Sequence, residues 1–218
     1  MGRIRAFFRQ KYIKNTFIIV LICATIGLLI YQGLWATRLS LNKHTKDLTW
    51  YGIDGTFHPQ DRRLDCQHRV NYINKEDTHL FNIYFHIYPN AFKYEDKAVF
   101  PQEYMTRAYP NGFSPGSIEF KDILVDGEPA QFSIEGYSDD ILMVTLKEAL
   151  MPQDAMEIWM EYSIELPNSP GRFGYYDNTF NMGNWYPILC VYDEKGWNLE
   201  PYHSTGDPFY SNVSNYKV

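Results

Sequence analysis

Residues 156–165 read MEIWMEYSIE, and their alternation decides the fold. The even positions Met156, Ile158, Met160, Tyr162 and Ile164 are apolar, while the odd positions Glu157, Trp159, Glu161, Ser163 and Glu165 are largely acidic. A period of two sends each set to its own face of a strand, one against a core and one toward water. Working outward, Leu64, Cys66, His68, Val70 and Tyr72 alternate with polar neighbours in the same way. The run HLFNIYFHIY (His79–Tyr88) predicts a strand with Phe81, Ile83, Phe85 and Ile87 on one face and Leu80, Tyr84 and Tyr88 on the other. Ile118–Val125 predicts another, and Asp126-Gly127 after it signals a hairpin, because that turn needs positive φ. Ala130, Phe132 and Ile134 are expected to continue the return strand, before a turn at Ser138-Asp139-Asp140 leads into Ile141–Leu146. Short strands separated by frequent turn signals predict an all-β chain folded as an antiparallel β-sandwich.

Two stretches do not read as plain strands. Pro89–Pro115 is long for a loop and predicts a short helix near Phe100–Arg107. Leu166–Pro208 is rich in Gly, Pro, Asn and aromatics, as functional or interface-forming loops are. Ser214–Val218 opens like a strand without a remainder, and the expectation is of a domain cut short at that point.

The charge is unevenly spread. The whole chain carries 20 Lys+Arg and 26 Asp+Glu, net −6. The first 46 residues hold eight bases and no acid, which leaves residues 47–218 with 12 bases against 26 acids, net −14. A body this acidic lacks the basic stripe that neutralises phosphates, so nucleic acid is excluded as a partner. A hydrophobic content of 45% excludes a disordered chain, and three cysteines exclude a disulfide-dense scaffold.

The basic N-terminus flanks an apolar run. No charge interrupts Asn15–Thr37, and Thr16–Trp35 as a helix is about 30 Å long, the thickness of a bilayer core. Tyr31 and Trp35 sit at one end, where amphipathic rings settle at the headgroups. Five bases precede the run and three follow it. The positive-inside rule then predicts a single-pass protein of the cell membrane, N-terminus cytoplasmic, remainder extracytoplasmic. A cleaved signal peptide has a shorter apolar core, and Leu34-Trp35-Ala36 is a poor cleavage sequence. The expected layout is a basic segment 1–15, a transmembrane helix 16–35, a tether 36–47 and a β-rich domain 48–218.

Chemistry-bearing patterns are sparse. The six histidines (His44, His58, His68, His79, His86 and His203) form no H-E-x-x-H. His68 and His86 could face each other across neighbouring strands, although partly buried strand histidines are the plainer reading. There is no G-x-S-x-G elbow, and His203-Ser204 lies in a loop. Asp139-Asp140 and Asp193-Glu194 fall in predicted turns, where solvation explains them. Gly206-Asp207 and Asp193 are candidate calcium ligands. Cys66 and Cys190 lie outside the membrane segment, either as a pair or as small core residues. The aromatics concentrated in Phe173–Tyr210 form either a sugar- or partner-binding face or packing beneath irregular loops. A standalone membrane-tethered sandwich binding a protein partner or glycan is the alternative function these features allow.

Longer runs carry a resemblance. YFHIYPNAF (Tyr84–Phe92), AYPNGFSPGSIEF (Ala108–Phe120) and RFGYYDNTFNMGNWYPILCVYDEKGWNLEPYHSTGDPFYSNVSNYKV (Arg172–Val218) resemble the N-terminal domain of bacterial aminopeptidase N-type zinc metallopeptidases, of the gluzincin family. The resemblance covers about residues 48–218. It implies a saddle-like β domain that packs on a thermolysin-like catalytic domain. In the family that later domain supplies G-x-M-E-N and a zinc site of H-E-x-x-H plus a downstream Glu, and none of these occurs here. No catalytic or metal-ligating residue is therefore carried over, zinc is expected only in the catalytic domain, and this chain alone is expected to be inactive. The implied partners are the lipid bilayer through Thr16–Trp35, the catalytic domain, and the peptide substrates of the full-length protein. The stretch Gly183–Pro187 matches loosely a part of the family that lines the substrate cleft. It makes Asn184, Trp185 and Tyr186, with Asp207, Phe209 and Tyr210, the expected cleft or domain-interface contacts.

Overall fold

The computed structural model describes residues 22–32, 47–206 and 209–218. The chain divides into two units, Met1–Asp47 and Leu48–Val218. In the first, residues 22–32 form a helix, α1, with Ile22, Ile26, Leu28, Leu29 and Ile30 all exposed. Among the described residues no helix is long and apolar enough to cross a membrane, and the remainder of the expected span 16–35 lies outside them.

The second unit is all-β. Its six-stranded sheet contains β1 (Trp50–His58), β2 (Arg63–Ile73), β4 (Ser117–Val125), β5 (Glu128–Pro129), β8 (Ala155–Glu165) and β14 (Asn215–Lys217), in the order β14-β1-β2-β8-β4-β5. A four-stranded sheet contains β3 (Leu80–His86), β6 (Gln131–Glu135), β7 (Ile141–Leu150) and β11 (Ile188–Leu189), in the order β11-β3-β7-β6. Two small ribbons, β9 (Phe173–Tyr176) with β10 (Thr179–Met182) and β12 (Tyr192–Asp193) with β13 (Gly196–Trp197), complete the described strands. All pairings are antiparallel except β1 with β14, which is parallel.

The two large sheets share one core. Leu64, Val70, Ile118, Ile123, Ile158, Met160 and Ile164 from the first meet Ile83, Phe85, Leu142, Val144 and Leu146 from the second. β8 is the centre of the larger sheet, paired to β2 over Arg63–Ile73 on one side and to β4 on the other. Its even positions are all buried, as the alternation requires, because a strand flanked on both edges has only its two faces left to distinguish. β2 buries Leu64, Cys66, His68, Val70 and Tyr72 by the same rule.

Three expectations are corrected. Phe81 is 63% exposed, off the core face on which simple alternation places it. A register shift between Leu80 and Asn82 in the pairing with β7 breaks the period, so Leu80 and Ile83 are both buried. The strand also ends at His86, and Tyr88–Phe92 forms a 3₁₀ turn with Pro89 at its start. The return from the Asp126-Gly127 turn splits. The turn itself forms, with φ of 50° and 83° at its two central residues. β5 pairs with β4 for two residues, and the chain then crosses to the smaller sheet, where β6 pairs with β7. Phe132 is accordingly exposed. The predicted short helix appears as a 3₁₀ turn at Gln102–Tyr104 running into an α-turn at Met105–Ala108.

The resemblance motif at Tyr84–Phe92 has a structural job. The side chain of buried Asn90 donates to Asp139 O at 2.8 Å and accepts from Ile118 N at 2.9 Å. One amide thus ties the 3₁₀ turn to a loop and to β4, satisfying backbone groups that burial would otherwise strand.

Candidate functional site

The expected contact residues fall into two separate aromatic clusters. The first is built on the β1–β2–β8 face. Tyr51 and His68 pack with ring centroids 5.5 Å apart, and Tyr186 approaches both at 6.0 Å. Tyr216 on β14 stacks on Tyr51 at 4.9 Å, and Trp185 lies against Tyr186 at 5.6 Å. The Tyr51 hydroxyl accepts a hydrogen bond from Leu189 N at 3.1 Å, which joins the edge of the smaller sheet to the larger one. Trp185 and Tyr186 are half-buried here, following Asn184, whose φ is +51°. Asn tolerates that left-handed backbone better than most residues, so it turns the chain into the cluster.

His68 sits at the bottom of this cluster, fully buried. Its Nδ1 is 3.4 Å from the Tyr162 hydroxyl, and its Nε2 has no partner among the described residues. Burial holds its pKa down to about 3, so the ring is neutral. Cys66, beside Tyr162 on the paired strand, is pushed up to about 12 by burial, so it is a thiol and not a nucleophilic thiolate.

The second cluster holds Phe209. Its ring packs on Tyr88 at 5.3 Å and Tyr202 at 5.9 Å, with the Arg172 guanidinium 5.6 Å above it. Tyr88 in turn stacks on His86 at 4.9 Å. Burial lowers the His86 pKa to about 4, partly offset by a hydrogen bond with the Asn198 backbone. Tyr210 projects outward and Asp207 lies outside the described residues.

Several expectations about chemistry are settled by placement. His68 and His86 are not on neighbouring strands: β2 lies between β1 and β8, β3 between β11 and β7, in different sheets. Among the described residues no three His, Cys, Asp or Glu stand close enough to hold a metal ion. Cys66 and Cys190 are both buried and unpaired, matching the small-core-residue reading. Asp193, a candidate calcium ligand, instead accepts from Lys195 N at 2.8 Å within its own turn. Asp139 and Asp140 are not simply solvated turn acids. Asp139 accepts from the Tyr94 hydroxyl, which with Lys93 holds its carboxyl below the usual range. Asp140 is 1% exposed and accepts from Tyr202 N at 3.2 Å, fastening the loop that carries the second cluster. Nothing in Ser-Asp-Asp distinguishes the buried acid from its half-buried neighbour.

A broad groove of about 830 Å³ lies along the larger sheet. Asp54, Asp65, Glu119 and Glu161 line it, with Lys121 paired to Glu161 at 2.7 Å. Arg63 hydrogen-bonds Asp65 at 3.0 Å and lowers its carboxyl pKa. The odd, acidic face of β8 is therefore one wall of a concave surface.

No protein-family model matches the chain, and no curated protein matches it. Solved structures do align in part. A two-domain M1 zinc metallopeptidase bound to L-arginine aligns with 72% of this chain and 29% of its own, at 12% identity and a TM-score of 0.39. The M1 zinc metallopeptidase from Deinococcus radiodurans aligns with 68% of this chain and 26% of its own, at 13% identity and 0.38. Yeast LTA4 hydrolase aligns with 54% and 14%, at 9% identity and 0.30. This chain thus spans less than a third of the length of each.

Proposed function

We propose that this chain is the membrane-anchored N-terminal portion of a zinc aminopeptidase-like metallopeptidase, whose work is tethering and packing on a catalytic domain, not chemistry. The anchor is Thr16–Trp35, with the N-terminus cytoplasmic and the β domain extracytoplasmic. Two things support the family: the runs Tyr84–Phe92, Ala108–Phe120 and Arg172–Val218, and an all-β fold of antiparallel sheets. Zinc and the peptide-cleaving groups belong to the catalytic domain in this reading.

The observation that carries the packing role is the outer edge of the larger sheet. β14 pairs parallel to β1 on one side, and Tyr210, Val213 and Tyr216 around it are 53%, 78% and 46% exposed. β14 itself reads Asn-Tyr-Lys, but exposed aromatic and aliphatic groups gathered beside a sheet edge invite another protein surface. Tyr186 packs edge-on against Tyr216 of this strand, and Trp185 lies against Tyr186.

Reading the encoding frame beyond the Val218 codon tests the assignment. Continuation into G-x-M-E-N and H-E-x-x-H is the expected result, and a stop codon there overturns it. The anchor has its own test: the chain should stay in the membrane pellet after alkaline carbonate extraction, and release into the supernatant would remove that part of the reading.

A further inference from the structure

A second pocket, of about 510 Å³, lies away from the β14 edge between the Gln102–Ala108 turns and the loops at 169–171 and 204–205. Its size is that of a small-molecule site. Phe100 and Tyr104 give it aromatic walls, and Ser204 and Thr205 border it opposite. Arg107 is its one lining charge. Among the described residues no acid pairs with that guanidinium, in a domain where acids outnumber bases by more than two to one.

A buried residue lies beneath the pocket. Ser169 is fully buried, and its Oγ has no hydrogen-bond partner among the described residues. Its hydroxyl has essentially no accessible surface, so it supports the pocket from behind and is not offered to a ligand. Its surroundings are fixed. Ser169 N bonds Pro167 O at 2.9 Å, Asn181 Nδ2 donates to Gly171 O at 2.8 Å, and Asn168 N donates to Ser114 Oγ at 3.0 Å. Arg172 donates to Gly206 O at 3.0 Å and so anchors the 204–205 wall. At Gly171 a Cβ would stand 3.5 Å from Ser169 Oγ, an ordinary contact.

We propose that this pocket binds a carboxylate attached to an aromatic or aliphatic body, with Arg107 taking the anion and Phe100 and Tyr104 the apolar part. A guanidinium suits a carboxylate because its planar fork matches both oxygens. The chemistry is shared by a free N-acylated amino acid and by the C-terminal residue of a peptide.

The test uses the full chain in detergent micelles, titrated by calorimetry with N-acetyl-phenylalanine, its primary amide, and acetyl-Gly-Gly-Phe. Saturable binding of at least one free acid, with the amide at least tenfold weaker, is the expected result. The stronger of the two acids then identifies the source. Arg107 is exposed, so Arg107→Gln should leave the melting temperature unchanged and abolish the acid–amide difference. No saturable binding by either acid, equal binding of acid and amide, or an Arg107→Gln protein that still discriminates them would each overturn the proposal.

Discussion

The paired strands β2, β8 and β4 and the segment from Phe173 to Lys217 bury aromatic and aliphatic side chains in opposite ways. β2 and β8 stay in register from Arg63 opposite Glu165 to Ile73 opposite Ala155. Each buried residue there is one tooth of a period-two comb, and its neighbours fix its direction. The later segment contributes strands of two to four residues, and it is held by individual rings and single hydrogen bonds: Tyr186 against Tyr51, Phe209 against Tyr88, Arg172 on Gly206, Tyr202 on Asp140. The lesson is that a regular strand distributes its stabilisation over many equivalent contacts, whereas the loop region concentrates it at a few. The strongest test of the first half of that contrast is Ile158→Ala. Ile158 is fully buried at the middle of β8, so truncation should cost about 2–5 kcal/mol through lost transfer energy and the cavity left behind. Denaturant unfolding measures it, and a loss below 1 kcal/mol would mean that the core at β8 is loosely packed.

Acid should act on both regions at once, because His68 lies in β2 and His86, on β3, bonds the Asn198 backbone of the later segment, and each is buried in its neutral form. The folded pKa values of His68 and His86, about 3 and about 4, lie below the unfolded value of about 6.5. Above pH 6.5 neither state is protonated and the full stability is present. As pH falls from 6.5 toward 4, the unfolded chain takes up protons that the folded chain refuses, and stability drops. At pH 5 the loss should be on the order of 2 kcal/mol for each histidine. Urea midpoints at pH 7 and pH 5 read the sum, and His68→Gln should remove about half of the difference. A midpoint that does not move between these two values contradicts the burial of both rings.

How much could be read beforehand follows the same division. The strands around Leu64–Tyr72, Ile118–Val125 and Met156–Glu165, the turn at Asp126-Gly127 and the short helix near Phe100–Arg107 are local signals, and local physics produced them. Phe81 misled because a bulge is invisible in a string of apolar letters. The crossing at Ala130 misled because both sheets accept the same alternation, and nothing local says which edge is free. The site was harder. Trp185, Tyr186 and Phe209 stood out by their residue types, yet their division into two clusters depends on contacts with Tyr51 and Tyr88, about 100 residues away or more. Tyr51 itself carried no signal, since its hydroxyl matters only through a backbone group at Leu189.

That hydroxyl sharpens the contrast further. Tyr51→Phe keeps the ring stacked on Tyr216 but leaves the buried Leu189 N–H without its acceptor, at a cost of about 1–3 kcal/mol. If the loop region depends on single contacts, the loss should appear locally. Amide exchange at Leu189 should quicken by at least tenfold while the centre of β8 changes far less. Uniform quickening across both regions would instead mean that the two halves unfold as one unit.

The smallest effect is expected where the regular region turns a corner. Gly127 has φ +83° and nothing within 4 Å of the position a Cβ would occupy. Gly127→Ala therefore meets no steric neighbour, and its only cost is holding an L-residue in a left-handed conformation, about 1 kcal/mol. The β4–β5 hairpin is short, and the chain leaves it for the other sheet at Ala130, whose N–H still bonds Ile123 O at 3.0 Å. The strained turn should thus lower the unfolding midpoint slightly while β4 stays in register with β8, because that register is fixed by pairs from Ser117–Glu165 to Val125–Ile158 and not by the turn. A shift of exchange protection along β4 in the variant would reverse this ranking, and would make the turn, rather than the comb of buried residues, the element that sets the sheet.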